Sequence, residues 1–233
     1  MFEATVRAEV LQLARDGTRW LSSGYDGGIT EADAAYNISV PEGWGRTDLD
    51  EYVSKRRKRA EFTEVGPALL TGVDLDHARG ARHGPVVVYA TAGISNPAAL
   101  PVDSSATDVS GEETPETPPG TVNLIVGTTR ALGDGALANL LAVVAEAKSA
   151  TLVAEAGFPG TTTDAVVVAT DPDGEPAEYT GSATEVGSAA RACTRSAVLA
   201  SLRSRYPDRD YPERVEDAAY GVRTTIQPTP FRL

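Results

Sequence analysis

Residues 158–174 read FPGTTTDAVVVATDPDG, three threonines and an aspartate set directly before a run of valines. Hydroxyls beside a carboxylate supply proton donors and acceptors, so the stretch reads as a candidate site. The same residue types cap turns, because Thr and Asp side chains bond nearby backbone groups, so both readings of Thr161, Thr162, Thr163 and Asp164 stand. The rest of the chain narrows the field. Cys193 is the only cysteine, and His77 and His83 are the only histidines. That leaves no disulfide framework or cysteine-based zinc site within one chain, and little material for a multi-histidine metal centre or a Ser-His-Asp triad. Cys193 lies among alanines in a helical pattern and reads as a small buried hydrophobe. Proton transfer falls to carboxylates, hydroxyls, lysine and backbone amides. Glu146 and Lys148 are two apart on one helix and face different ways, so at most one faces a shared site easily. Asp26, Asp134 and Asp164 are of the type that holds hard cations, and the scarcity of His and Cys argues only against a soft-ligand site. The expectation is a reaction that requires no metal and no cofactor.

These residues sit at the ends of expected elements. Residues 2–13 read as an extended strand, and residues 18–28 as a second strand breaking into a glycine turn. Residues 30–38, with Ala32, Ala35 and Tyr36 at helical spacing, read as a helix. Residues 48–62 read as an amphipathic helix carrying Leu49, Tyr52, Val53 and Ala60. Strands follow at 67–75 and 85–95, joined by an exposed connection that holds both histidines. Residues 102–120, VDSSATDVSGEETPETPPG, lack apolar periodicity and read as a flexible acidic insertion in a loop. They do not read as a domain boundary, because the strand TVNLIVGTT (121–129) follows at once. Asp134 opens a helix with Leu137, Leu140, Leu141 and Val144 on one face. After the valine strand, SATE (182–185) reads as a capping box between Ser182 and Glu185, opening a helix to about Arg205 that Pro207 stops. The order lacks regular βα alternation, which predicts an α+β fold: one domain over residues 1–233, a mixed sheet with helices packed on it.

The formal charge is −12, from 33 acidic and 21 basic residues, and Lys55, Lys58 and Lys148 are the only lysines. Acids dispersed along a lysine-poor chain suit a protein that must stay hydrated where salt screens charge over roughly 3 Å at 1 M. That predicts the cytosol of a salt-accumulating organism, whereas an acidic surface made for a basic partner predicts clustered acids. Phosphate binding needs a basic stripe, and the one basic run, SKRRKR (54–59), reads as the solvated face of a helix. The start, MFEATVRAEV, has no charged flank followed by an apolar block, and no apolar run approaches the ~20 residues that span a bilayer. The expectation is a cytoplasmic protein acting on a small molecule, with neither membrane nor nucleic acid as partner.

Polar or glycine-rich turns recur at strand ends: SSGYDGG (22–28), TAGISN (91–96), GTVN (120–123), LGDGAL (132–137) and GTTTDAV (160–166). Turn chemistry explains any one of them; together they supply hydroxyls, amides and carboxylates if the strand ends meet. Taken in order, LSSGYDGG, Asn37, TAGISN, GTVNLIV, LGDGAL with AEAK (145–148), GTTTDAVVVA and YTGSATEVG (179–187) resemble the adenosylcobinamide amidohydrolase family, CbiZ. The resemblance covers most of the chain, from about Leu21 to Leu202. It implies hydrolysis of the amide joining aminopropanol to the corrin side chain of adenosylcobinamide, giving adenosylcobyric acid for return to coenzyme B12, a salvage activity of archaea. It further implies a cobalt-containing corrinoid substrate touched by Ser22, Ser23, Gly27, Gly28, Asn37, Ser95, Asn96, Asn123, Asp134 and Tyr179. For the amide hydrolysis that the resemblance implies, Asp164 is the first candidate base, Thr162 or Thr163 the nucleophile or oxyanion donor, and Glu146 and Lys148 are further candidates, while Asn96 and Asn123 suit recognition of the amide or the oxyanion. Two other classes stay open. One is an amidohydrolase or peptidase that cleaves itself before Thr121 to make a terminal-threonine nucleophile; the other is a corrinoid-binding protein without hydrolytic activity.

Overall fold

The computed structural model describes residues 1–41, 48–101, 120–218 and 220–232. Among these, chain order is β1 (Glu3–Arg7), β2 (Val10–Ser22), β3 (Gly28–Ser39), α1 (Leu49–Arg59), β4 (Ala68–Thr71), β5 (Arg79–His83), β6 (Val86–Ala92), β7 (Ala98–Ala99), β8 (Val122–Ala131), α2 (Asp134–Ala156), β9 (Ala165–Pro176), α3 (Glu185–Arg205) and β10 (Val222–Arg223). One sheet runs β4-β3-β2-β9-β8-β6-β5, with β1 also paired to β2. The pairs β3/β4 and β8/β9 are parallel, and their connections carry α1 and α2. The other neighbours in this sheet are antiparallel. The fold is α+β with a mixed sheet, as the element order predicts. The acidic stretch at 102–120 lies outside the described residues, apart from Gly120.

Three apolar clusters define the layers. On one face of β6, β8 and β9, Val88, Leu124, Val126, Val166 and Val168 pack under Leu137, Leu140 and Val144 of α2 and Ala190, Ala197 and Val198 of α3. On the opposite face, Val87, Ile125, Val167 and Ala169 meet Leu13, Trp20, Ala35 and Leu69 from β2, β3 and β4. The far side of that half, Ala34, Tyr36 and Ile38, is covered by Tyr52 and Val53 of α1. The sheet therefore folds over itself between two helical layers, and side-chain alternation assigns each strand residue to one interlayer space.

That layering explains where the expectations fail. Residues 30–38 form β3, not a helix: Ala34, Tyr36 and Ile38 face one covered layer and Ala35 the other, so the polar alternation that marks a half-exposed strand is missing. The single strand expected over 2–13 is a hairpin, with Arg7 opposite Val10. Its turn, Ala8 and Glu9, lies at φ 44° and 62° without the Gly or Asn that usually announces such geometry. Arg56, from the basic run on α1, donates to the carbonyls of Ala8, Glu9 and Ser39, so part of that run serves packing. The connection carrying the histidines contains an edge strand, β5, antiparallel to β6. Helix α3 is capped by Thr184, whose hydroxyl accepts from Gly187 N at 3.1 Å, and not by Ser182; Glu185 turns instead to Arg130 at 2.9 Å. Helix α2 is, against expectation, long and apolar enough by composition to cross a membrane. Its apolar length is used against the sheet and α3, where half of that stretch is buried.

Candidate active site

Strands β8 and β9 run parallel and start together, with Asn123 opposite Ala165. On the face turned to β3 and β4, the apolar packing of Ile125 and Val167 gives way to polar groups. Asn123 Nδ2 donates to Asn37 Oδ1 at 3.0 Å and to the Leu70 carbonyl at 2.8 Å. Asn37 Nδ2 donates to Thr91 Oγ1 at 2.9 Å, and Thr91 in turn reaches Thr71 at 3.4 Å. All four side chains are buried, and the chain of bonds ties β3, β4, β6 and β8 together across the interlayer space. Asn96 Oδ1 and Asn123 Oδ1 are buried without a partner, and a buried acceptor of this kind is normally met by a water or a ligand donor.

The other face is turned to α2 and holds Asp164. Its Oδ1 accepts from Val122 N at 2.9 Å and from the Thr161 hydroxyl; its Oδ2 accepts from Thr161 N at 3.0 Å and from Lys148 Nζ. Lys148 reaches it from the buried stripe of α2 that also carries Val144, Ala147 and Thr151. The two side chains are only 10% and 8% exposed. Gly160 makes the approach possible, since a Cβ there would lie 2.6 Å from Asp164 Oδ2 and 3.2 Å from Lys148 Nζ. The sequence suggests Asp164 as a base, but four donors occupy both of its oxygens. Such a carboxylate is placed to anchor the 161–164 turn, the start of β8 and a lysine ammonium.

Beside this anchor stand the hydroxyls. Thr163 Oγ1 lies 2.9 Å from Thr121 Oγ1 and 3.5 Å from the Gly120 carbonyl oxygen. Thr121 is buried, immediately before β8, and its carbonyl accepts from Gly93 N at 3.2 Å. Thr162 Oγ1 accepts from Asn96 Nδ2 at 2.5 Å, while Thr162 N donates to the Asn96 carbonyl at 3.2 Å. The Ser95–Asn96 loop is thereby laced to the threonine turn, and a Cβ on Gly120 would come within 2.5 Å of Ser95 N and Oγ.

Ser23 continues the β2–β9 pairing with its side chain, accepting from Val166 N at 2.9 Å and donating to the Val166 carbonyl at 3.2 Å. Next to it, Ser22, Gly27 and Gly28 line a cleft of about 460 Å3 with Tyr25, Asp50 and Arg57. Tyr25 donates to the Asp50 carboxylate, and that bond pushes its phenol up to about 12, keeping it a neutral donor.

Other expected residues lie apart. Glu146 is exposed and paired with Arg191. Asp134 pairs with Arg19 at 2.5 Å, beyond the far end of the ten-residue β8, roughly 30 Å from Thr121 at strand rise. Tyr179 is exposed beside a separate cavity of about 970 Å3 between the starts of α2 and α3. Burial raises the Cys193 thiol above its usual value, which fits an inert core residue. His77 Nδ1 is 3.0 Å from Ser204 Oγ, and His83 is exposed on β5. Among the described residues no group of three or more His, Cys, Asp or Glu converges. Thr71 is not among the expected residues, and Thr91 is expected only as the first residue of the TAGISN turn; the signal that turns it inward is its period-two spacing from Val87 and Tyr89 on β6.

The family model for CbiZ, adenosylcobinamide amidohydrolase, matches residues 3–210. The adenosylcobinamide amidohydrolase of Halobacterium salinarum is 57% identical over 234 residues, covering 100% of each chain. Among solved structures, the PH0078 protein from Pyrococcus horikoshii OT3 is similar at TM-score 0.42 and 12% identity, over 87% of this chain and 79% of its own. The L-aminopeptidase D-Ala-esterase/amidase of Ochrobactrum anthropi is similar at TM-score 0.40 and 10% identity, over 87% and 83%. The source of the 57%-identical relative agrees with the salt-adapted composition, and the match takes in both the polar network and the threonine turn. The chain belongs to the adenosylcobinamide amidohydrolase family, CbiZ.

Proposed function

We propose that the cluster at the start of β8 and β9 is where this chain hydrolyses the amide between aminopropanol and the corrin side chain of adenosylcobinamide, giving adenosylcobyric acid for cobalamin salvage. The observation that carries the site is the hydroxyl pair, Thr121 and Thr163 at 2.9 Å, adjoining in sequence the carboxylate, Asp164, that fixes Lys148. A threonine hydroxyl attacks the amide carbon, and the negative charge that develops on the carbonyl oxygen needs donors already in place. The Lys148 ammonium has N–H groups beyond the one given to Asp164. Asn96 Oδ1, an acceptor without a partner next to Thr162, suits the N–H of the scissile amide. Asp164 contributes by holding Lys148 and the turn, and Asn37 and Asn123 by holding the layers in register. The cleft at Ser22, Gly27 and Gly28 seats part of the corrinoid. The reaction needs no metal ion or cofactor from the protein and takes place in the cytoplasm. Incubation with adenosylcobinamide in concentrated salt with a chelator, followed by chromatography, should release adenosylcobyric acid and aminopropanol. Stoichiometric binding with no released aminopropanol would instead identify a corrinoid-binding protein.

A further inference from the structure

The proposed site has hydroxyls and an ammonium, but among the described residues it lacks a free base. Asp164 is filled by four donors, His77 is engaged by Ser204, and Cys193 is buried in the helical layer. What the structure offers instead is an unusual set of contacts around one peptide bond, Gly120–Thr121. Thr163 Oγ1 touches both the Thr121 hydroxyl, at 2.9 Å, and the Gly120 carbonyl oxygen, at 3.5 Å. A hydroxyl has one proton to donate. The assignment that satisfies both contacts has Thr121 donating to Thr163 and Thr163 donating to the Gly120 carbonyl. That arrangement draws the proton from Thr121 Oγ while polarising the carbonyl next to it. The C-terminal side of the bond is clamped, since the Thr121 carbonyl accepts from Gly93 N and Val122 N donates to Asp164. On the acyl side stands a glycine, the one residue that fits against Ser95 N and the Gly93 carbonyl.

We infer that the chain cleaves itself between Gly120 and Thr121. Thr121 Oγ attacks the Gly120 carbonyl carbon; a C–O bond forms, the C–N bond of the peptide breaks, and the hydroxyl proton passes by way of Thr163 to the departing Thr121 nitrogen. The product is an ester between Gly120 and the Thr121 side chain. Water then adds to that ester, restoring the Thr121 hydroxyl and leaving Gly120 as a carboxylate. One water is consumed and nothing is oxidised or reduced. The new α-amine of Thr121 stands on the nucleophile itself, two bonds from the carbon that bears Oγ, and supplies the base for attack on an external amide. Residues 121–233 hold β8, α2, β9 and α3, and residues 1–120 hold β1 to β7; pairing of β8 with β6 and of β9 with β2 keeps the two parts together.

Denaturing mass spectrometry of the purified full chain, kept in concentrated salt, tests this. The expected result is two polypeptides whose masses sum to the parent plus one water, the second with Thr121 at its N-terminus. Thr121→Ala should remain a single chain, Thr121→Ser should still cleave, and Thr163→Val should slow cleavage by roughly tenfold or more, the scale of losing one polar contact to a reacting carbonyl. A wild-type chain that stays whole overturns the inference, whether or not it turns over adenosylcobinamide. Cleavage of Thr121→Ala at the wild-type rate also overturns it, since an external protease would then be responsible. Two chains that leave adenosylcobinamide untouched would keep the self-cleavage and sink the proposed substrate.

Discussion

Two ion pairs leave the same turn of α2 in opposite directions. Lys148 points into the molecule and meets Asp164, with both side chains about nine-tenths covered. Glu146, two residues earlier and therefore roughly 200° around the helix, points out and meets Arg191, with exposures of 61% and 35%. Composition gives them equal standing as acid–base candidates. Surroundings separate them: the exposed pair answers to water and salt, whereas the buried pair is locked to the Val122 amide and to the amide and hydroxyl of Thr161. A charge becomes useful for chemistry when the fold fixes its position and excludes water from it. In a chain that has nearly abandoned lysine, one of the three that remain is the buried one.

The largest effect should come from breaking the inner pair. Asp164→Asn keeps the shape but leaves Lys148 without its counter-charge and turns an NH2 group towards amides that need an acceptor. Removing one partner of a buried pair costs about 3–5 kcal/mol, so melting should fall clearly and turnover by roughly 10²-fold or more. If Asp164 were a free base, melting would stay near wild type while turnover fell. If it were only a turn cap, the loss would be about 1 kcal/mol with turnover intact. Melting and rate measured on this one variant distinguish the three cases.

The same contrast shows what could be read from sequence. Thr161 bonding to Asp164 three residues on is local and belongs to ordinary turn chemistry. Lys148 and Val122 reach the same carboxylate across 16 and 42 residues, and nothing in the spacing announces them. Strands β8 and β9 and helix α2 were legible because each has a strong apolar pattern. Strand β3 was not, because it is covered on both faces by alanine-rich layers and loses its alternation. The polar pole of the interlayer space was half legible. Asn37 and Asn123 stood out in the motifs, but their bond to each other depends on the sheet folding over itself.

Salt should sharpen the difference between the pairs. With a formal charge of −12 the chain repels itself, so adding salt from dilute buffer should raise the melting temperature. Double-mutant cycles should then diverge. Coupling between Glu146 and Arg191, of about 0.2–1 kcal/mol at low salt, should fall towards zero near 1 M, while coupling between Lys148 and Asp164 should keep most of its value. Equal salt dependence at the two pairs would mean that the inner pair is solvated after all. Full stability in dilute buffer would count against salt adaptation.

The smallest effect belongs to Glu146→Gln. Its carboxylate lies on the exposed side of α2, across from the buried stripe that carries Lys148, and pairs with Arg191 on α3. Losing that pair removes one solvent-screened interaction between two surface helices, worth at most about 1 kcal/mol. The substituted amide can still accept from the guanidinium, which reduces the loss further. Turnover of adenosylcobinamide should match wild type within about twofold, since the change leaves the Thr121–Thr163 pair and Asp164 untouched and a lost general base costs roughly 10²-fold or more. A large fall in rate with unchanged melting would place Glu146 in the chemistry. The comparison between the two faces of α2 would then have to be redrawn with the outer face as the reactive one.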